Sequence, residues 1–172
     1  MKKIFFAFVL FMGIYKSYTQ DYSTGVGLRG GWTSGITAKH FISDGRAIEG
    51  IFSSGWGERG FQITGLYEFH KAAFTKYDME GFWWFYGGGA HFGGAYSYEY
   101  WHQTGPGYLN GYYETRHYMT FGIDGIFGLE YRIPDIPVTI ALDIKPFLEF
   151  SNYSDYPFHF WDSAFTIRYV FK

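Results

Sequence analysis

The sequence predicts an all-β protein, an eight-stranded antiparallel up-and-down transmembrane β-barrel with a closed polar interior. Three observations predict it. Eight segments alternate apolar and polar residues with a period of two, the pattern of strands with two unlike faces. The composition suits sheet and turn rather than helix, with 24 Gly and 25% aromatic residues but only 17% charged ones. An export-type leader opens the chain, and no later apolar run is long enough to cross a membrane as a helix.

The same composition excludes other classes. A chain of 172 residues suits one domain. Its hydrophobicity rules out disorder, and its glycine and aromatic content rules out a helical bundle. With no cysteine there is no disulfide scaffold and no thiolate metal site. A net charge of −2 gives no sign of a nucleic-acid partner.

Residues 1–19 read as a signal peptide. Lys2 and Lys3 form the positive start, and Ile4 to Tyr15 is apolar but shorter than the roughly 20 residues of a spanning helix. Ser17 and Thr19 supply the small residues of a cleavage site. Residues 20–172 form the barrel.

From Tyr22 onward the strands follow in order. Val26, Leu28, Gly30 and Trp32 share a face opposite Gly25, Gly27, Arg29 and Gly31. Ile36, Ala38, His40 and Ile42 oppose Thr37, Lys39 and Phe41. Ile48, Gly50, Phe52, Ser54 and Trp56 oppose Glu49, Ile51 and Ser53. Phe61, Ile63, Gly65, Tyr67 and Phe69 oppose Gln62, Thr64, Leu66, Glu68 and His70. Trp84, Tyr86, Gly88, Ala90 and Phe92 oppose Phe85, Gly87, Gly89 and His91. Met119 to Ile133 alternates in the same way, with Asp124, Glu130 and Arg132 on the polar face. Val138, Ile140, Leu142 and Ile144 oppose Thr139, Ala141, Asp143 and Lys145. Phe165, Ile167, Tyr169 and Phe171 oppose Ala164, Thr166, Arg168 and Val170.

Connection lengths fix the register. A loop of Ser43-Asp44-Gly45, with Gly in the left-handed position, sets Lys39 across from Glu49 as an opposite-charge pair. A loop of Gly57 to Gly60 sets Trp56 across from Phe61, and one of Pro134 to Pro137 sets Ile133 across from Val138. Every loop keeps apolar facing apolar, which a one-residue slip would break. The polar face is small and carries balanced isolated charges, which suits a narrow interior where charges must be paired. The bulky apolar face therefore points outward, against lipid. Trp32, Trp56, Phe61 and Tyr118 then mark an outer aromatic rim, and Tyr22, Phe69, Trp84, Tyr131, Tyr169 and Phe171 an inner one. The segment from His70 to Gly81 is long for a turn, and Pro146, which has no donor, is expected above the membrane at a bulge.

With these residues the chain resembles the small eight-stranded outer-membrane barrels of Gram-negative bacteria, the OmpA/OmpX-like architecture. The terminal strand, Ala164 to Phe171, looks like the signal read by the barrel-assembly machinery, with the departure that Lys172 follows the last aromatic. Gly128 to Pro137 is similar to the hairpin of a family of short, uncharacterised outer-membrane barrel proteins. The resemblance implies a place in the cell outer membrane, with outer-membrane lipid and the assembly machinery as partners.

An eight-stranded barrel is just filled by its own side chains, so no open channel is expected. Arg29, Lys39, Glu49, Glu68, His91, Asp124, Glu130, Arg132, Asp143, Lys145 and Arg168 are read as an interior polar network. No enzyme activity, cofactor or metal site is assigned. His159, Asp162 and Ser163 are the nearest approach to a catalytic set, and their closeness in sequence argues against a triad. Glu99, His102, Glu114 and His117 match no tight ligand spacing. The outer loop 95–117 is rich in adaptable contact residues: Tyr96, Tyr98, Tyr100, Trp101, Tyr108, Tyr112 and Tyr113. It is the place for contact with a surface protein or glycan. The expected role is therefore structural or surface-interacting. The alternatives are an outer-membrane lipid-modifying enzyme on the same barrel, or a soluble periplasmic β-barrel ligand carrier.

Overall fold

The computed structural model describes residues 22–55, 59–75, 80–103, 111–151 and 161–172, with side chains described except at 55, 59, 95–103, 111–118 and 151. Residues 1–21 and the tips of four connections lie outside the described residues. Eight strands run in chain order: β1 Thr24–Gly31, β2 Thr33–Ser43, β3 Arg46–Gly55, β4 Arg59–Ala72, β5 Phe82–Gln103, β6 Gly111–Arg132, β7 Val138–Ser151 and β8 Trp161–Phe171. Each pairs antiparallel with its neighbour, and β8 pairs back with β1 from Thr24↔Phe171 to Gly31↔Ala164. The sheet is a closed barrel, so within it no strand edge is left unpaired.

The alternation sorts side chains by character. Leu28 is 68% exposed, Met119 64% and Leu142 61%, on the outer wall. Lys39, Glu68 and Glu130 are 0% exposed, inside. Charge faces the axis and hydrocarbon faces away, the reverse of a water-soluble barrel. The interior also holds a small apolar cluster of Ile51, Leu66, Phe85, Ile126 and Ala141. Glycine makes room for the largest rings. Phe85 lies opposite Gly128, and a β-carbon there would run into its ring; His91 lies opposite Gly122 in the same relation.

Several turns differ from the sequence reading. Lys39 does lie across from Glu49, but the β2–β3 turn is Asp44-Gly45 with Ile42 bulged, and Gly45 takes the positive φ of 68°. Between β3 and β4, Phe52 faces Ile63 and Ser53 faces Gln62, a pairing two residues tighter than the Trp56–Phe61 alignment. The shift is even, so the faces are preserved; Trp56 lies outside the described residues. Ile133 donates its N–H to the Val138 carbonyl at 3.1 Å, as the turn of Pro134 to Pro137 requires. The connection after His70 is shortened by longer strands, since β4 reaches Ala72 and β5 starts at Phe82.

Three larger corrections concern Tyr22, Pro146 and the outer loop. Tyr22 is buried and points inward, because a hydroxyl can be bonded there by Glu130 and not by an apolar surround. Pro146 sits in line within β7, with exposed Leu148 and Phe150 beyond it, and causes no bulge. The β6–β7 register is the same on both sides of it. The outer loop is largely strand. Residues of β5 and β6 pair with one another up to Gln103↔Gly111, with a bulge between Tyr98 and Trp101. The Tyr-rich sequence has high strand propensity, and each half supplies the other's partner. The last contact of β5 with β4 is at Tyr96, and the last of β6 with β7 is at Thr120. Beyond these, β5 and β6 form a two-stranded ribbon with no strand alongside among the described residues.

Candidate functional site

Two features stand out as sites: the ionic interior and the ribbon. The interior is built in two layers by inward positions of all eight strands. In the layer nearer the termini, Lys39 of β2 is the hub. Its Nζ lies 2.8 Å from Glu68 of β4, 3.2 Å from Glu49 of β3 and 3.5 Å from Glu130 of β6. Arg168 of β8 closes the ring, reaching Glu49 at 2.5 Å and Glu130 at 3.3 Å. Neutral donors add to two of the carboxylates: Thr37 donates to Glu49, and Tyr22 to Glu130 at 2.5 Å. His70 lies 2.9 Å from Glu68. Aromatic rings floor this layer. The Lys39 ammonium stands 4.4 Å over the Phe85 ring, His70 stacks on Phe85, and Phe41 lies edge-on between His70 and Tyr22.

The second layer lies toward the far end. Arg29 of β1 reaches across to Asp143 of β7 at 2.6 Å and Asp162 of β8 at 3.3 Å, and Thr33 donates to Asp162 at 2.6 Å. Lys145 of β7 binds Asp124 of β6 at 3.0 Å. His91 of β5 sits between two carboxylates, with Nδ1 2.8 Å from Asp124 and Nε2 3.2 Å from Glu149. Such pairing suits charges buried this deeply, since a lone buried charge costs on the order of several kcal/mol. With the lumen bridged by these side chains at two levels, the described interior forms a plug.

Of the residues the sequence assigns to the interior, Arg29, Lys39, Glu49, Glu68, His91, Asp124, Glu130, Asp143, Lys145 and Arg168 lie there. Arg132 does not. It stands at the end of β6, half-exposed, and its Nη1 donates to the carbonyls of Ile133, Ile136 and Val138, tying the β6–β7 turn. The carbonyls of the turn lie within its reach, and the interior carboxylates are already paired. Sequence reasoning missed Asp162, Tyr22, Glu149 and His70 as network members. The inward parity of β4 and β8 would have placed His70 and Asp162. Glu149 lay beyond the strand end inferred for β7.

The catalytic and metal candidates are not assembled among the described residues. Asp162 points inward to Arg29, while the neighbouring Ser163 is on the outer wall, so the two face opposite sides of one strand. His159 lies outside the described residues. Among the described residues, no group of His, Cys, Asp and Glu is arranged to hold a metal. The side chains of Glu99, His102, Glu114 and His117 are not described. The same holds for Tyr96, Tyr98, Tyr100, Trp101, Tyr112 and Tyr113, whose backbones lie on the ribbon; Tyr108 lies outside the described residues.

No family model matches the sequence, and none of the curated proteins matches it. Among solved structures, the barrel is similar to the crystal structure of the N-terminal β-barrel domain of OprF from Pseudomonas aeruginosa. The TM-score is 0.53 at 9% sequence identity, over 86% of this chain and 95% of that one. At that identity the likeness speaks for the fold.

Proposed function

We propose that this chain is an integral β-barrel of the cell outer membrane, closed to conduction, with a structural and surface-interacting role. The observation that carries the reading is the inverted wall. Most outward positions from Val26 to Phe171 are large and apolar and remain exposed, whereas Arg29, Arg168, Glu49, Glu68 and Glu130 are buried. A surface of that kind is unstable in water and stable in hydrocarbon, where a closed barrel satisfies every strand. The likeness to the OprF barrel domain supports the same architecture, and the leader-like start supports export. Lipid is the surrounding partner, and the last strand is the segment offered to the barrel-assembly machinery. The β5–β6 ribbon, with its tyrosines and free edges, is the element offered to a surface protein or glycan.

The test uses the full chain in cells. The protein should fractionate with the outer membrane and migrate as a compact band in cold detergent that shifts on boiling. Protease added to intact cells should clip the ribbon and spare the barrel. A soluble protein in the periplasmic fraction would overturn the reading in favour of a ligand carrier.

A further inference from the structure

The outer wall is uncharged except in one sector. Among the described residues, no outward strand position carries a carboxylate. The outward positions with an ionisable nitrogen are His40 of β2, Arg46 of β3 and Lys71 of β4. They lie on adjacent strands, at the end of the barrel that carries the termini. His40 Nδ1 is bonded to the Thr24 hydroxyl at 2.9 Å. Arg46 and Lys71 are exposed, and neither has a carboxylate in ion-pair contact among the described residues. Arg46 pairs with Phe69, and Lys71 stands two residues beyond Phe69 on the same face. The two cations therefore occupy diagonal neighbours, about 7–8 Å apart. One anion can meet both.

The surround is aromatic and apolar. Phe69 lies between the cations and stacks on Tyr86 at 5.6 Å, and Lys71 Nζ stands 5.6 Å from the centre of the Tyr86 ring. Outward Ile48 and Tyr67, paired with each other, continue the wall toward the middle of the barrel. Two cations at the foot of an apolar wall are the complement of an anion carried on hydrocarbon. We propose that this face of β3 and β4 is a binding site for an anionic phospholipid. The phosphate bridges Arg46 and Lys71, and the chains lie along Phe69, Tyr67 and Ile48. Arginine offers forked donors to a phosphate, and lysine adds a point charge. An acidic protein would match the charges but leave the apolar wall directly above them uncovered. A zwitterionic lipid would bring its own ammonium against the pair. The site rests on the membrane reading above.

The test separates the two. Ile48→Cys lies beside Arg46, and Ile140→Cys lies at the same height on β7, across the barrel. Each is introduced into the full chain, which has no cysteine of its own, and labelled with bimane. The protein is reconstituted into vesicles of equal parts phosphatidylglycerol and phosphatidylethanolamine, with bromine on the chains of one lipid at a time. Quenching then reports the lipid beside each label. At position 48 phosphatidylglycerol should be favoured by about threefold to tenfold, the factor that a cation near a headgroup supplies. At position 140 the ratio should be about one. Adding Arg46→Gln and Lys71→Gln, both exposed changes, should bring the ratio at 48 to about one. An equal ratio at 48 in the presence of both cations overturns the site and leaves them to an acidic protein. A preference that survives the double change, or one equally strong at 140, also overturns the site. Each of these results leaves the membrane reading standing. Absence of quenching by either lipid at both positions overturns both.

Discussion

Lys39 shows what a single buried side chain does here. Local pairing gives it one partner, Glu49, yet its ammonium serves three carboxylates drawn from β3, β4 and β6. Removing it strands those carboxylates without water. Lys39→Met should destabilise the barrel by about 3–5 kcal/mol, and adding Glu68→Gln should recover part of the loss. Urea midpoints of the folded band for the single and double variants check this; strictly additive losses would deny that the two residues share one network. Exchanging Lys39 and Glu49 should not restore stability, since a carboxylate at position 39 would face Glu68 and Glu130. The inward direction of these residues was legible from parity alone, because alternation ties each side chain to its neighbours. Their partners were not. Arg29 reaches Asp143 and Tyr22 reaches Glu130 across the lumen, between positions more than a hundred residues apart. Arg132 obeys the parity of its strand and still turns to the carbonyls at the strand end.

At the scale of elements, the strands fit because large and small residues alternate across the seams. Phe85 occupies the space that Gly128 leaves. Gly128→Val should cost about 1–3 kcal/mol through overpacking, and Phe85→Leu in the same chain should return much of it. Failure of the second change to help would mean that the backbone at the Leu142 carbonyl, and not the ring, sets the limit. The ribbon behaves differently. Among the described residues its strands above Tyr96 and Thr120 pair only with each other, so no described wall strand leans on them. Replacing residues 97–116 with Asn-Gly, a turn suited to directly opposed strands, should leave the urea midpoint within about 0.5 kcal/mol. The same change should abolish photo-crosslinks formed by the ribbon on intact cells. Strand centres were readable in the sequence, but the extent of β5 and β6 was not. Tyr-rich stretches suit both a contact loop and a strand, and only pairing decides between them. Pro146 was misplaced for a related reason: a barrel seam can lose one bond in line, without a bulge, when the register on both sides is already fixed.

For the whole molecule, stability comes from closure and, on the proposed membrane reading, from the match between an apolar wall and hydrocarbon. The barrel has no edge, its axis is crosslinked by ions, and its exterior is a hydrocarbon surface. Fold class could be read from the sequence because closure, even strand number and face polarity agree with one another. Biological role could not, since folds of this kind carry many roles. The central claim concerns which way the faces point, and the absence of native cysteine makes it directly measurable. Single cysteines placed along β7 and β8, at 140, 141, 142, 165, 166 and 167, are labelled with an environment-sensitive dye in protein refolded into vesicles. Positions 140, 142, 165 and 167 should give blue-shifted emission quenched by brominated acyl chains, and 141 and 166 should resist labelling or escape quenching. Water-like, unquenched emission from 140, 142, 165 and 167 would contradict the account.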